Sequence, residues 1–111
     1  MKYLVTMEMI QQMAPSDPRQ LIQLIEERVI KQHEIQVKQE AEKKILAGGS
    51  VVGKMCDVFI VEAASNEELS GLLRSLPLWS IHKVDVIPLE SFEDVLAKER
   101  QEVEQMKAAL K

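Results

Sequence analysis

The run Cys56-Asp57-Val58-Phe59-Ile60-Val61-Glu62-Ala63 is apolar on both of its alternating faces, with Val58 and Ile60 opposing Phe59 and Val61. Successive side chains of a strand point to opposite sides, so a strand of this composition has to be covered on both. It reads as the centre of a sheet with cover on each face, not as the wall of a sheet open to water. Two further strands have a simpler pattern. Residues 2–9 place Tyr3, Val5, Met7 and Met9 on one side and Leu4, Thr6 and Glu8 on the other. Residues 81–89 alternate Val84 and Val86 with Lys83 and Asp85, as expected where one face meets solvent.

Helices fill the intervals. Met13 to Ser16 reads as a connection, and Asp17-Pro18-Arg19-Gln20 is a helix start, with Asp17 as the cap and Pro18 at the first helical position. Propensity alone carries this helix to about Ala47, where Gly48-Gly49 can stop it. The apolar stripe, however, moves along the helix: Leu21, Ile22, Leu24, Ile25 and Val29 share one side, while Ile30, Val37, Ala41 and Ile45 lie about half a turn away. A helix of about 30 residues would be roughly 45 Å long at 1.5 Å per residue, too long for the sheet of so small a domain. A bend, an end near Glu40, or cover on both sides would each resolve this. The second strand is accordingly either Ser50 to Met55 or a stretch from Ile45 that bulges at Gly48-Gly49. Ser65 caps a further helix whose buried stripe is Leu69, Leu72 and Leu73, ended by Pro77. Ser91 to Lys111 forms a terminal helix with Phe92, Leu96, Val103, Met106 and Leu110 on one seam, interrupted by Glu99.

The order strand, helix, strand, strand, helix, strand is the βαββαβ arrangement of a ferredoxin-like α+β sheet, with the helices on one face. We therefore expect one ferredoxin-like domain over residues 1–90 and a terminal helix over 91–111 that packs or oligomerises. A chain of 111 residues suits one domain and favours association. With 46% apolar and 29% charged residues it has the balance of an ordinary folded protein. A net charge of −4, with lysines interleaved among glutamates, excludes a basic nucleic-acid footprint. No run reaches the roughly 18 apolar residues of a membrane span, and the N-terminus lacks a signal-peptide pattern. A cytoplasmic location is the default expectation. The one cysteine, Cys56, reads as a small core residue.

Several of these residues also resemble a known family, the muconolactone isomerase-like proteins. The opening strand, the Asp17-Pro18 helix start, the strand Asp57-Val58-Phe59-Ile60-Val61 and, above all, Leu72-Leu73-Arg74-Ser75-Leu76-Pro77-Leu78-Trp79 carry the likeness. It covers roughly residues 1–90. The resemblance implies a dimeric α+β barrel, in which two sheets pair and cover each other's second face, hence a homodimer or larger homo-oligomer. It departs at the second strand, which is rich in aromatic and basic side chains in the family's isomerase. Residues 45–55 here have no aromatic residue and only Lys54 as a base.

Shifting a proton between carbons of an unsaturated lactone needs a general base near an acidified C–H and a group that stabilises the enolate. Glu8 is a candidate base because its strand neighbours are apolar, and His82 is a candidate acid or base that titrates near neutral pH. Trp79, at the position that resembles the family's aromatic residue, is a candidate ligand contact. The ordinary alternatives are that Glu8 lies at a strand end in water and that His82 is a surface residue. His33 and Glu40, together with the other helix glutamates, read as a solvated surface. No HExxH, CxxC pair, phosphate loop or nucleophile elbow occurs, so no metal or other cofactor is expected. Two classes stay open: a small-molecule-binding or assembly protein, and an isomerase acting on a small unsaturated lactone or acid.

Overall fold

In a computed structural model that describes residues 1–10 and 14–110, four strands form one antiparallel sheet: β1 (Lys2–Met9), β2 (Ile45–Ser50), β3 (Cys56–Glu62) and β4 (His82–Leu89). Their order is β2-β3-β1-β4, which with the intervening helices gives the ferredoxin-like α+β fold. Residue 13, at the start of the expected connection, and residue 111, at the end of the terminal helix, lie outside the described residues.

Register decides which side chains share a face. Val5 lies between Phe59 and Val86, and Met7 between Asp57 and Val84. This side is the core: Tyr3, Val5, Met7, Phe59 and Val61 are buried against Leu69, Leu73 and Leu76. On the opposite side Leu4 lies between Ile60 and Ile87, and Thr6 between Val58 and Asp85. Leu4, Val58 and Ile60 are only half-buried there, and Ile87 is 52% exposed. The expectation that β3 is apolar on both faces therefore meets one covered face and one open face.

The first helical stretch comprises α1 (Pro18–Leu24), a π turn (Ile25–Val29) and α2 (Ile30–Ala41). Asp17 caps it, its carboxylate accepting from the Arg19 backbone N–H at 2.9 Å. The apolar stripe does not follow the buried face: the π turn inserts a residue, which rotates everything after it by roughly 100° at 3.6 residues per turn. Leu24 and Val29 pack on Met9, Leu78 and Ile81, and beyond them Gln32, Gln36 and Gln39 face the sheet. Gln32 is held there because its Oε1 accepts from the Leu78 backbone N–H at 3.0 Å. Ile22, Ile30 and Val37 are left on the outside.

The helix stops at Ala41, near the expected early end, and not at Gly48-Gly49. Lys44 N–H donates to Gln39 O at 2.9 Å and Lys43 N–H to Glu40 O at 3.0 Å, which is a Schellman stop. Lys43 has φ 60, the left-handed conformation usually given to glycine. The chain then enters β2 at Ile45 at once. Its register slips between Ile45 and Ala47, so the bulge lies ahead of the two glycines.

Helix α3 (Asn66–Arg74) starts at Ser65, whose Oγ accepts from Glu68 N–H at 3.1 Å. A 3₁₀ turn, Trp79–Ile81, then leads into β4. The terminal helix α4 (Phe92–Ala109) has no buried residue and lengthens the molecule to 73 × 28 × 25 Å. Its radius of gyration is 19.2 Å, against about 13 Å for a rounded domain of this size. Among the described residues no helix is long and apolar enough to cross a membrane.

Candidate functional site

A cleft of about 280 Å³ lies between α2 and the β2–β3 edge. α2 supplies His33, Gln36 and Glu40, β2 supplies Gly48, Gly49 and Ser50, and β3 supplies Asp57 and Phe59. The volume is near the lower end of the ordinary range for small-molecule sites, about 300–1,000 Å³. The two glycines line it with bare backbone. A smaller chamber of about 110 Å³ adjoins it, sharing His33, Ser50 and Asp57 and adding Gln32, Cys56 and His82.

Asp57 and His33 are the chemically loaded pair. Asp57 begins the core-facing row of β3 and is 7% exposed, although carboxylates are rarely buried without a partner. The partner is His33, whose Nε2 stands 3.3 Å from Asp57 Oδ2 and 3.5 Å from Oδ1. A carboxylate only accepts, so the pairing places a proton on Nε2 and leaves Nδ1 as the lone-pair nitrogen of the neutral ring. The His33 side chain is half exposed, so a ligand can reach it.

Of the residues picked from sequence, His82 lies closest to this pair. Opposite Met9 on the helix-covered face, it lines the inner chamber, and its Nδ1 donates to Leu78 O at 2.8 Å. Glu8 falls on the other side of the sheet. It is paired in register with Lys83, and its carboxylate meets Lys54 Nζ at 3.2 Å. Trp79 packs against the main core with the Arg74 guanidinium 5.3 Å from its ring centroid, and it lines a separate groove with Tyr3 and Asn66. The structure thus brings His82 and His33 to one chamber and leaves Glu8 and Trp79 elsewhere.

Cys56 is buried at the chamber wall. Burial, and after it the Glu8 carboxylate, push its thiol above the ordinary value, which keeps it protonated and unreactive near neutral pH. Among the described residues no group of three His, Cys, Asp or Glu side chains is placed to hold a metal ion.

His33 and Asp57 were missed by sequence reasoning. Asp57 carried a usable signal, since an acid in phase with Phe59 and Val61 must point into the core. His33 carried none, because its position over Asp57 depends on the helix phase that the π turn sets.

No curated protein matches the chain. The family model for muconolactone delta-isomerase matches residues 1–95, which takes in the whole sheet, both layers of the cleft and only the first turn of α4. The chain belongs to the muconolactone delta-isomerase family.

Proposed function

We propose that this chain binds a small unsaturated lactone or acid in the cleft between α2 and β2, and that His33 moves a proton on it. The observation that carries this reading is the 3.3 Å contact between His33 Nε2 and the buried Asp57 carboxylate at the cleft wall. In the neutral ring, Nδ1 takes a proton from a carbon made acidic by the conjugated carbonyl. The electron pair of that C–H bond delocalises onto the carbonyl oxygen. Asp57 stabilises the resulting imidazolium, which returns its proton to another carbon of the conjugated system as the carbonyl re-forms, so that the double bond has moved and nothing is gained or lost. The Ser50 hydroxyl lines the same cleft and is the side-chain donor available to the developing oxyanion.

The test is ligand titration in deuterated water. An unsaturated γ-lactone should shift the backbone amide resonances of residues lining the cleft. Its acidic C–H should take up deuterium faster than in buffer. Absence of both effects across a set of such lactones and acids would remove the reading; amide shifts without exchange would reduce it to binding alone.

The reading includes self-association through the open sheet face, where Leu4, Val58 and Ile60 are half-buried and Ile87 is exposed without cover. The full chain should have the mass of a dimer, or a multiple of it, by light scattering at micromolar concentration. Ile60→Asp places a charge in the middle of that face and should raise the dissociation constant about tenfold or more, since burying an unpaired charge costs more than the roughly 1.4 kcal/mol of one such decade. A monomer mass for the unaltered chain, or an unchanged constant for the variant, would contradict the pairing.

A further inference from the structure

Helix α4 is the part of the molecule that neither the cleft nor the family accounts for. Its 18 residues extend past residue 95, where the family match ends, and none of them is buried. Phe92 is 93% exposed, Met106 66% and Leu110 89%, with Leu96 and Val103 near half. The helix is nonetheless well specified: Ser91 Oγ accepts from Asp94 N–H at 3.1 Å, Glu93 and Asp94 occupy the first turn, and Lys107 the last. Helices of proteins owe most of their stability to packing of an apolar face. Only Glu90 and Ser91 separate it from β4, and it makes no buried contact with its own sheet.

The seam identifies its partner. Phe92, Leu96, Glu99, Val103, Met106 and Leu110 follow one another at spacings of four, three, four, three and four. This is the a/d pattern of a coiled coil, with Leu96, Val103 and Leu110 at a and Phe92, Glu99 and Met106 at d. A seam of this kind fits a second copy of itself. The flanking charges choose the direction. In a parallel pair Glu102 at g meets Lys107 of the partner subunit at e, and no g–e pair brings like charges together. An antiparallel pair centred on the same seam also gains Glu93 against Lys107 of the partner subunit, but it sets Glu102 against Glu102 of the partner subunit and Arg100 against Arg100 of the partner subunit. In the parallel pair Glu99 meets Glu99 of the partner subunit in the d layer, and Arg100 of the partner subunit, at the flanking e position, offsets that repulsion.

We propose that α4 pairs with α4 of a second copy as a short parallel two-stranded coiled coil, in which Arg100 of the partner subunit flanks the Glu99 layer and fixes the register. The seam is less than three heptads long, so it acts as a clasp whose strength adds to that of another interface by raising the effective concentration of the two chains.

Disulfide trapping tests this on the full chain, with native Cys56 buried and out of competition. Leu96→Cys puts a thiol at an a position and Gln101→Cys puts one at the outward f position. Under mild oxidation the Leu96→Cys protein should form a covalent dimer at least ten times faster than the Gln101→Cys protein. Adding Arg100→Glu, which sets a second acid beside Glu99, should slow the Leu96→Cys reaction about tenfold. Equal rates for the two cysteine variants would overturn the pairing. An unchanged rate with Arg100→Glu would overturn the register. Faster coupling of Leu96→Cys to Met106→Cys in a mixture than of Leu96→Cys to itself would show antiparallel helices and overturn the direction.

Discussion

Gly48→Val is expected to lower the stability of the protein by about 3 kcal/mol or more, a large share of the roughly 5–15 kcal/mol that holds a domain of this size folded. Gly48 has φ +141, a backbone conformation that residues with a Cβ rarely adopt. A Cβ built there would stand 2.3 Å from Val58 O and 2.5 Å from Phe59 Cα. These are backbone atoms of the central strand and cannot turn aside as a side-chain end can. The backbone strain costs about 1–3 kcal/mol and the overpacking about 1–3 kcal/mol more. Gly49→Ala is the matched comparison, since a Cβ there meets nothing within 4 Å and its φ is ordinary; it should cost well under about 1 kcal/mol. Urea unfolding of the two variants measures the difference. If Gly48→Val unfolds at the same midpoint as Gly49→Ala, β2 does not lie against β3 in this register.

The same strand shows what can be read from the residues alone. Alternation placed β1, β3 and β4, because burial on a sheet repeats every second residue and Val5, Met7, Phe59 and Val61 obey that rule locally. β2 has no such signal: only Ile45 of its six residues is buried, and its glycines serve close backbone approach instead of packing. The first helix misled for a different reason. Its isoleucines suggested the buried face, yet the π turn rotates Gln32, Gln36 and Gln39 inward, and the buried Gln32 is paired with a backbone N–H of the segment after α3. That interaction spans 46 positions of sequence, so no local periodicity can reveal it. The site shares this limit. Glu8 and His82 both sit at strand ends that meet in the sheet, but the period of two sends Glu8 to the open face with Lys83 and His82 to the covered face with Met9.

Asp57→Asn is expected to lower turnover of a responsive unsaturated lactone by about 10²–10⁴-fold, the usual contribution of a positioned acid–base group, while ligand affinity changes by no more than about threefold. The substitution keeps the shape of the side chain, and thus the packing beneath the cleft, but changes two properties of His33. The carboxylate charge that stabilises the imidazolium is lost, and the asparagine N–H₂ can donate to Nε2, which moves the ring proton to Nδ1 and occupies the lone pair that should face the ligand. His33→Gln removes the ring itself and should cost about as much. If the two act as one unit, the double variant should be no slower than the worse single variant, because the second change removes nothing still in use. Glu8→Gln alters a carboxylate that is 44% exposed and paired to Lys54 on the opposite face of the sheet, and it should keep its rate within a few-fold. Single-turnover rates and titrated dissociation constants for the four proteins, each first matched to the parent by circular dichroism, separate chemistry from binding. Full rates in Asp57→Asn and His33→Gln would end the proton-transfer reading. Losses that multiply in the double variant would mean that the two residues act separately, and the 3.3 Å contact would then be no more than a structural ion pair.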